Sequence, residues 1–278
     1  MNNRIYEWEN QHGVSKAVKT FLIMIEFNKF TNELPALPVG YELHIWEINI
    51  ELFPREFLSY CRNILSNNEL EKANRYHFKS DFTRYVLIRG VLRIILAGYL
   101  ELKPNEIKFS YNQFGKPEVS QHTERQPLYF NVSHSEDMAL IAISTYGPVG
   151  VDIERRRPVH YLVEIAKRHF TSSEYLELFS VSEEQRLDAF YRCWTKKESY
   201  IKAIGKGLSH PLDSFSVPIV DCHGSVKTMD HNSYTHPSWV VTELNVLAGY
   251  IAAVSVRSML PIIHQFSMDR LKRLVKWG

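Results

Sequence analysis

The chain is poor in cysteine, nearly balanced in charge and without a long apolar run. Three cysteines in 278 residues, Cys61, Cys193 and Cys222, are too few and too scattered for a disulfide framework, and no two form a C-x-x-C zinc pair. A reducing cytoplasm is the compartment this points to. Lys and Arg number 33 against 31 Asp and Glu, a net charge of +2, so a dedicated nucleic-acid binder with its basic stripe is not expected. The most apolar region, 85–100, contains Arg89 and Arg93 and falls short of the ~20 residues that cross a bilayer. No membrane role is expected, and the apolar run 21–25 is too short for a secretory signal. Neither a P-loop nor G-x-G-x-x-G occurs, which disfavours the common nucleotide-binding folds.

What is present is ordinary globular composition, 45% hydrophobic and 23% charged, in a chain long enough to bury a large core. Residues 1–40 form a weakly patterned extension ending in Leu34-Pro35-Ala36-Leu37-Pro38, where two prolines punctuate a linker. Alternation predicts strands at 41–50, 107–111, 129–133 and 138–144, and helical spacing predicts helices at 55–63, 67–75 and 81–100. Lys103-Pro104 stops the last of these. After Pro148 the order recurs: a strand at 149–153, helices at 161–169, 173–179 and 183–205, then strands at 215–217, 238–243 and 249–256. The repetition predicts an α+β protein of two similar subdomains, 41–147 and 148–260, followed by a basic amphipathic C-terminal helix within 261–278.

The chemistry concentrates in two segments. In Gly150-Val-Asp152-Ile-Glu154, strand alternation places both carboxylates on one face. In Trp194-Thr-Lys-Lys197-Glu198-Ser-Tyr-Ile-Lys202, Glu198 and Lys202 stand one helical turn apart on a shared face. A hard divalent cation takes oxygen ligands and leaves positions for phosphate and water. Three carboxylates with a neighbouring ammonium suit a metal-bound diphosphate. Lys197 points about 100° away from Glu198, so it either binds phosphate or braces Glu198 or the fold. Lys196 reads as a solvated surface charge.

Taken together, these segments resemble the paired signature of the Sfp-type 4'-phosphopantetheinyl transferases. Gly115-Lys116-Pro117, Phe130-Asn131-Val-Ser133-His134-Ser135 and Gly205-Lys206-Gly207-Leu208 extend the resemblance in the same order, over about residues 72–217. It implies a pseudo-twofold pair of subdomains with the active site in the cleft between them. It implies transfer of the phosphopantetheine arm of coenzyme A to a serine of an apo acyl, peptidyl or polyketide carrier protein, releasing 3',5'-ADP. Asp152, Glu154 and Glu198 would hold Mg²⁺, or Mn²⁺, which the same oxygen donors accept. Glu154, Glu198 and Lys202 would carry catalysis, with Glu198 or a metal-bound water as the base.

The resemblance further implies coenzyme-binding roles for Lys72, Arg75, Arg84, Arg89, Lys116, Ser133, His134, Lys197 and Lys202. Glu69 stands where relatives often have a lysine, which leaves the 3'-phosphate contacts open. Apolar and basic residues at 155–179 would receive an acidic carrier. Chain length resembles the monomeric members of the family. The alternative from another functional class is a non-catalytic module binding coenzyme A or a carrier on the same fold.

Overall fold

The computed structural model describes residues 35–120, 127–228, 239–257 and 260–267. The predicted elements occur nearly where alternation and helical spacing put them. They run β1 (Glu42–Asn49), α1 (Arg55–Ile64), α2 (Asn67–Ala73), α3 (Lys79–Leu100), β2 (Phe109–Tyr111), β3 (Pro117–Val119), β4 (Tyr129–Ser135), β5 (Met138–Ser144) and β6 (Val149–Arg155). Then follow α4 (Leu162–His169), α5 (Ser172–Ser180), α6 (Glu183–Ile204), β7 (Phe215–Ser216), β8 (His223–Ser225), β9 (Lys227–Thr228), β10 (Trp239–Leu244), β11 (Tyr250–Arg257) and β12 (Ile262–Ser267).

One expectation changes. Residues 262–267, assigned to a C-terminal helix, form a strand: β12 lies beside β1, where Ile262 N–H donates to the Tyr41 carbonyl. The amphipathic pattern at 269–276 and the extension at 1–34 lie outside the described residues. By backbone contacts the described chain gathers into two compact units, one built on residues 49–107 and one on residues 38–48 with 108–266. The cause is β-pairing. β1 is held in one sheet with β12, β5 and β4, so it groups with the later chain and leaves the helices between 49 and 107 as a unit of their own.

Within the helical unit, α2 carries a capping box in which the Glu69 carboxylate accepts from both the N–H and the hydroxyl of Ser66. The same carboxylate pairs with Arg89 and Arg93 of α3. Arg93, 2% exposed, also donates to the Pro104 and Ile107 carbonyls. These hydrogen bonds offset the desolvation of a buried guanidinium.

In the other unit, two four-stranded sheets run in the orders β12-β1-β5-β4 and β6-β11-β10-β8. Leu43, Ile45, Leu140, Val149, Val151, Ile153 and Val254 share the core layer. The register of β6 is fixed by this layer. A one-residue slip would take three branched side chains out of this layer, at up to about 1.5–3 kcal/mol each, and drive Asp152 and Glu154 into apolar surroundings. The opposite face of the β6 sheet receives α6, whose Tyr200 and Ile201 join a second cluster with Phe190, Phe215 and Val241.

Helix α6 sits directly on the β6 backbone at Gly150. A Cβ there would lie 2.0 Å from the Ser199 carbonyl oxygen and 2.3 Å from the Ala203 nitrogen, both backbone atoms. The Ser199 and Ser255 hydroxyls, 2.6 Å apart, fix the same approach from β11. Gly150→Ala is therefore expected to lower stability by roughly 1–3 kcal/mol or more. A urea midpoint equal to that of the unmodified chain would contradict this packing.

Candidate active site

The site forms along the seam where β4 meets the outer edge of β6. Asn131, Ser133 and Ser135 share one face of β4 by strand alternation. Each accepts a hydrogen bond from a β6 backbone N–H: Val151 to Asn131 Oδ1 at 2.9 Å, Ile153 to Ser133 Oγ at 3.4 Å, and Arg155 to Ser135 Oγ at 3.0 Å. Edge-strand donors need partners when buried. Here side chains supply them and join two sheets.

The serine hydroxyls then donate to the acids. Ser133 Oγ donates to Asp152 Oδ1 at 2.9 Å, and Ser135 Oγ to Glu154 Oε2 at 2.8 Å. Lys202 reaches the same place from α6. Its Nζ donates to Asp152 Oδ1 at 2.6 Å and to Ser133 Oγ at 2.8 Å. Asp152 is 3% exposed, and its Oδ2 has no hydrogen-bond partner among the described residues.

Electrostatics couple the three acids. Burial, then the charge of Asp152, pushes Glu154 above the usual carboxylate range against the Ser135 hydrogen bond. Glu198 is raised by burial, then by Asp152, with Lys202 opposing. Crowded, desolvated carboxylates with an unpartnered buried oxygen mark a functional site. Their donor chemistry fits a hard divalent cation. As placed, no three acidic, His or Cys side chains among the described residues are gathered into a finished metal cage.

The lysines divide differently from expectation. Lys197, assigned to coenzyme binding, is fully buried. Its Nζ lies 2.8 Å from Glu174 Oε2 and donates to the Leu212 and Phe215 carbonyls, so no N–H remains for a phosphate. Helical geometry explains the separation, since adjacent residues lie about 100° apart and Glu198 faces β6. Lys196 is not a surface charge; its buried Nζ donates to the Pro218 and Asp221 carbonyls. Lys116, assigned to the nucleotide end, donates to the Val149, Lys202 and Ala203 carbonyls instead, and burial lowers it to about 8.

Arg89, also expected to bind coenzyme, is committed to Glu69. Arg84 pairs with Asp81 at 2.8 Å. Lys72 and Arg75 are exposed, and Lys72 lies over the Tyr85 ring. His134 is exposed between two buried serines, as strand alternation requires. Asn131 and Ser135, which with Ser133 knit β4 to β6, were quoted in the motif but given no role of their own; their signal was the spacing N-x-S-x-S. A cavity of about 350 Å³ lies away from the acids, lined by Asn112, Lys116, Glu118, Phe130, Ala203 and Gly205.

Replacing Lys197 by Met would leave the Glu174 carboxylate, 1% exposed, without its cation. A loss of roughly 3–5 kcal/mol is expected, measured by urea unfolding. A stable variant with weakened coenzyme binding would return Lys197 to the ligand set.

Comparison with known proteins adds sequence-wide evidence. Residues 148–255 match the model of the 4'-phosphopantetheinyl transferase superfamily, and residues 53–146 match the model of the 4'-phosphopantetheinyl transferase N-terminal region. The chain is 36% identical over 215 residues to the 4'-phosphopantetheinyl transferase HetI of Nostoc sp., covering 77% of this chain and 87% of that protein. It is 36% identical over 193 residues to the 4'-phosphopantetheinyl transferase Sfp of Bacillus subtilis, covering 69% and 82%. A human relative, L-aminoadipate-semialdehyde dehydrogenase-phosphopantetheinyl transferase, is 33% identical over 165 residues, covering 56% and 53%.

Proposed function

The chain belongs to the 4'-phosphopantetheinyl transferase family, and we propose that Asp152, Glu154, Glu198 and Lys202 carry its transfer reaction with a divalent cation. The enzyme moves the 4'-phosphopantetheine arm of coenzyme A to a serine of an apo carrier protein. The single observation behind the residue assignment is the buried Asp152, held on one oxygen by Lys202 and Ser133 and unpartnered on the other.

In phosphoryl transfer the barrier falls mainly through positioning and neutralisation of phosphate charge. Asp152, Glu154 and Glu198 would hold Mg²⁺, which would supply charge stabilisation to the diphosphate when bound. Lys202 is a compact cation that can turn from Asp152 toward a phosphate oxygen. Ser133 and Ser135 keep the two strand carboxylates aimed by hydrogen bonds. Glu198, with its raised proton affinity, suits acceptance of the serine proton. His134, exposed near the end of β4, would donate to the coenzyme. Lys202 bonded to the buried Asp152, with the half-buried Glu154 and Glu198 electrostatically coupled to it, supports catalysis over a binding-only module.

Carrier docking is assigned to 155–179. Leu162, Ile165, Phe170, Tyr175 and Phe179 pack into the core, so they are not the docking surface. Tyr161 and Leu176 remain 76% and 70% exposed, beside exposed Arg155, Lys167 and Arg168. An acidic partner suits that surface. No described helix is long and apolar enough to cross a membrane.

Intact-mass spectrometry of an apo acyl or peptidyl carrier protein, with coenzyme A and Mg²⁺, is expected to show a gain of one phosphopantetheine mass that EDTA abolishes. Glu198→Gln should abolish the gain while keeping most coenzyme binding; undiminished turnover would remove Glu198 from the mechanism. Because Glu154 and Glu198 are raised, their neutral forms stabilise the fold at acid pH, and that contribution is lost as pH rises through the raised values. A cation relieves the resulting repulsion. Mg²⁺ should therefore raise the melting temperature more at pH 7.5 than at pH 5. Equal shifts at both would contradict metal binding by these acids.

A further inference from the structure

We propose that Lys116 and Asn112, on the turn between β2 and β3, are positioning residues for the transfer reaction, clamping the C-terminal end of α6 and thereby setting where Lys202 meets Asp152. This rests on the reading of the site given above. A helix ends with carbonyls that have no intrahelical donor. In α6 the Ile201 carbonyl receives the N–H of Gly205. The carbonyls of Lys202, Ala203 and Gly205 are taken from outside the helix. Lys116 Nζ donates to Lys202 O at 2.7 Å and Ala203 O at 3.0 Å, and Asn112 Nδ2 donates to Gly205 O at 2.9 Å. A cation at this end also meets the negative pole of the helix dipole.

The third bond of Lys116, 3.2 Å to Val149 O, reaches the first residue of β6. One ammonium thus ties the backbone of Lys202 to the strand that carries Asp152. All three of its N–H donors are used on carbonyls, which is the geometry of a strut and not of a phosphate ligand. The turn is built to hold it. Asn112 Oδ1 accepts from the N–H groups of Phe114 and Lys116, each at 2.9 Å, and Gly115 takes a φ of +84°. Gly205 completes the fit, with φ +70°; a Cβ there would stand 2.9 Å from Asn112 Nδ2 and 3.2 Å from Lys116 Cδ. The clamp lies one helical turn beyond Glu198, and the Lys202 ammonium sits 2.6 Å from Asp152. Loosening the helix end shifts Lys202 while leaving the exposed groups that would meet the coenzyme in place.

The test is steady-state kinetics of the full chain with an apo carrier protein, beside calorimetric titration with coenzyme A. Lys116→Met is expected to lower kcat by about 10- to 100-fold, the scale of a small misplacement in an oriented site. KM and Kd for coenzyme A should change less than kcat, because the Lys116 ammonium is used up on carbonyls. Lys116→Arg, which keeps donors for the carbonyls, should recover part of kcat. Asn112→Ala should show the same pattern with a smaller loss, and it decides the matter alone if Lys116→Met does not fold. A raised KM or Kd for coenzyme A with kcat kept would make Lys116 a coenzyme ligand and overturn the proposal. Unchanged kinetics in both variants would overturn it as well. Absence of transfer by the unmodified chain would count against the transferase reading, whereas a loss confined to the variants supports the clamp.

Discussion

The closeness of α6 to β6 at Gly150 is the constraint on which the site depends. Close approach of the two backbones brings a lysine and a glutamate of the helix to the two carboxylates of the strand. Gly150 allows it, with Ser199 and Ala203 backbone atoms standing where a side chain would be. Around this contact the protein places apolar side chains on one face of β6 and charge on the other. The hydrophobic layer of Val149, Val151 and Ile153 fixes the register, and the register fixes which way Asp152 and Glu154 point. Stability and function therefore share a strand without sharing a face.

Polar side chains used as backbone partners run through the structure. Asn131, Ser133 and Ser135 satisfy the edge of β6. Lys196 and Lys197 bond carbonyls in the segment after α6, and Glu174 accepts the Val217 N–H while pairing with Lys197. Lys116 closes the end of α6. Irregular backbone cannot satisfy itself as a helix or sheet does, and each buried group left unmade costs about 1–3 kcal/mol. Long flexible amines reach such carbonyls from a distance. The consequence for function is that fewer lysines are available to phosphate than a motif of lysines suggests, and Lys202 stands out by meeting a carboxylate of the site.

Much of the fold was legible because its elements are strongly patterned. The helices from 55, 67 and 183 and the strands at 129, 138, 149 and 250 follow apolar spacing that local sequence carries. The short strands β3, β8 and β9 were not foreseen, since two or three residues hold no measurable period. β12 was read as part of a terminal helix because its exposed, mixed sequence has no clear face; pairing with β1 decides it. The acids were found by parity and spacing, which are local. The fates of Lys116, Lys196 and Lys197 were not, because a charged residue looks the same in sequence whether it meets solvent, phosphate or a buried carbonyl.

The sequence by itself determined the α+β class, the common face of Asp152 and Glu154, the shared turn of Glu198 and Lys202, and the family. These follow from periods of two and 3.6 residues and from motifs read in order. Only the tertiary structure decided that β4 side chains stitch the edge of β6, that Lys197 belongs to Glu174, and that Lys116 closes α6. Those outcomes depend on which unsatisfied carbonyl or carboxylate lies within reach once distant segments pack. Nothing local in the chain encodes that distance.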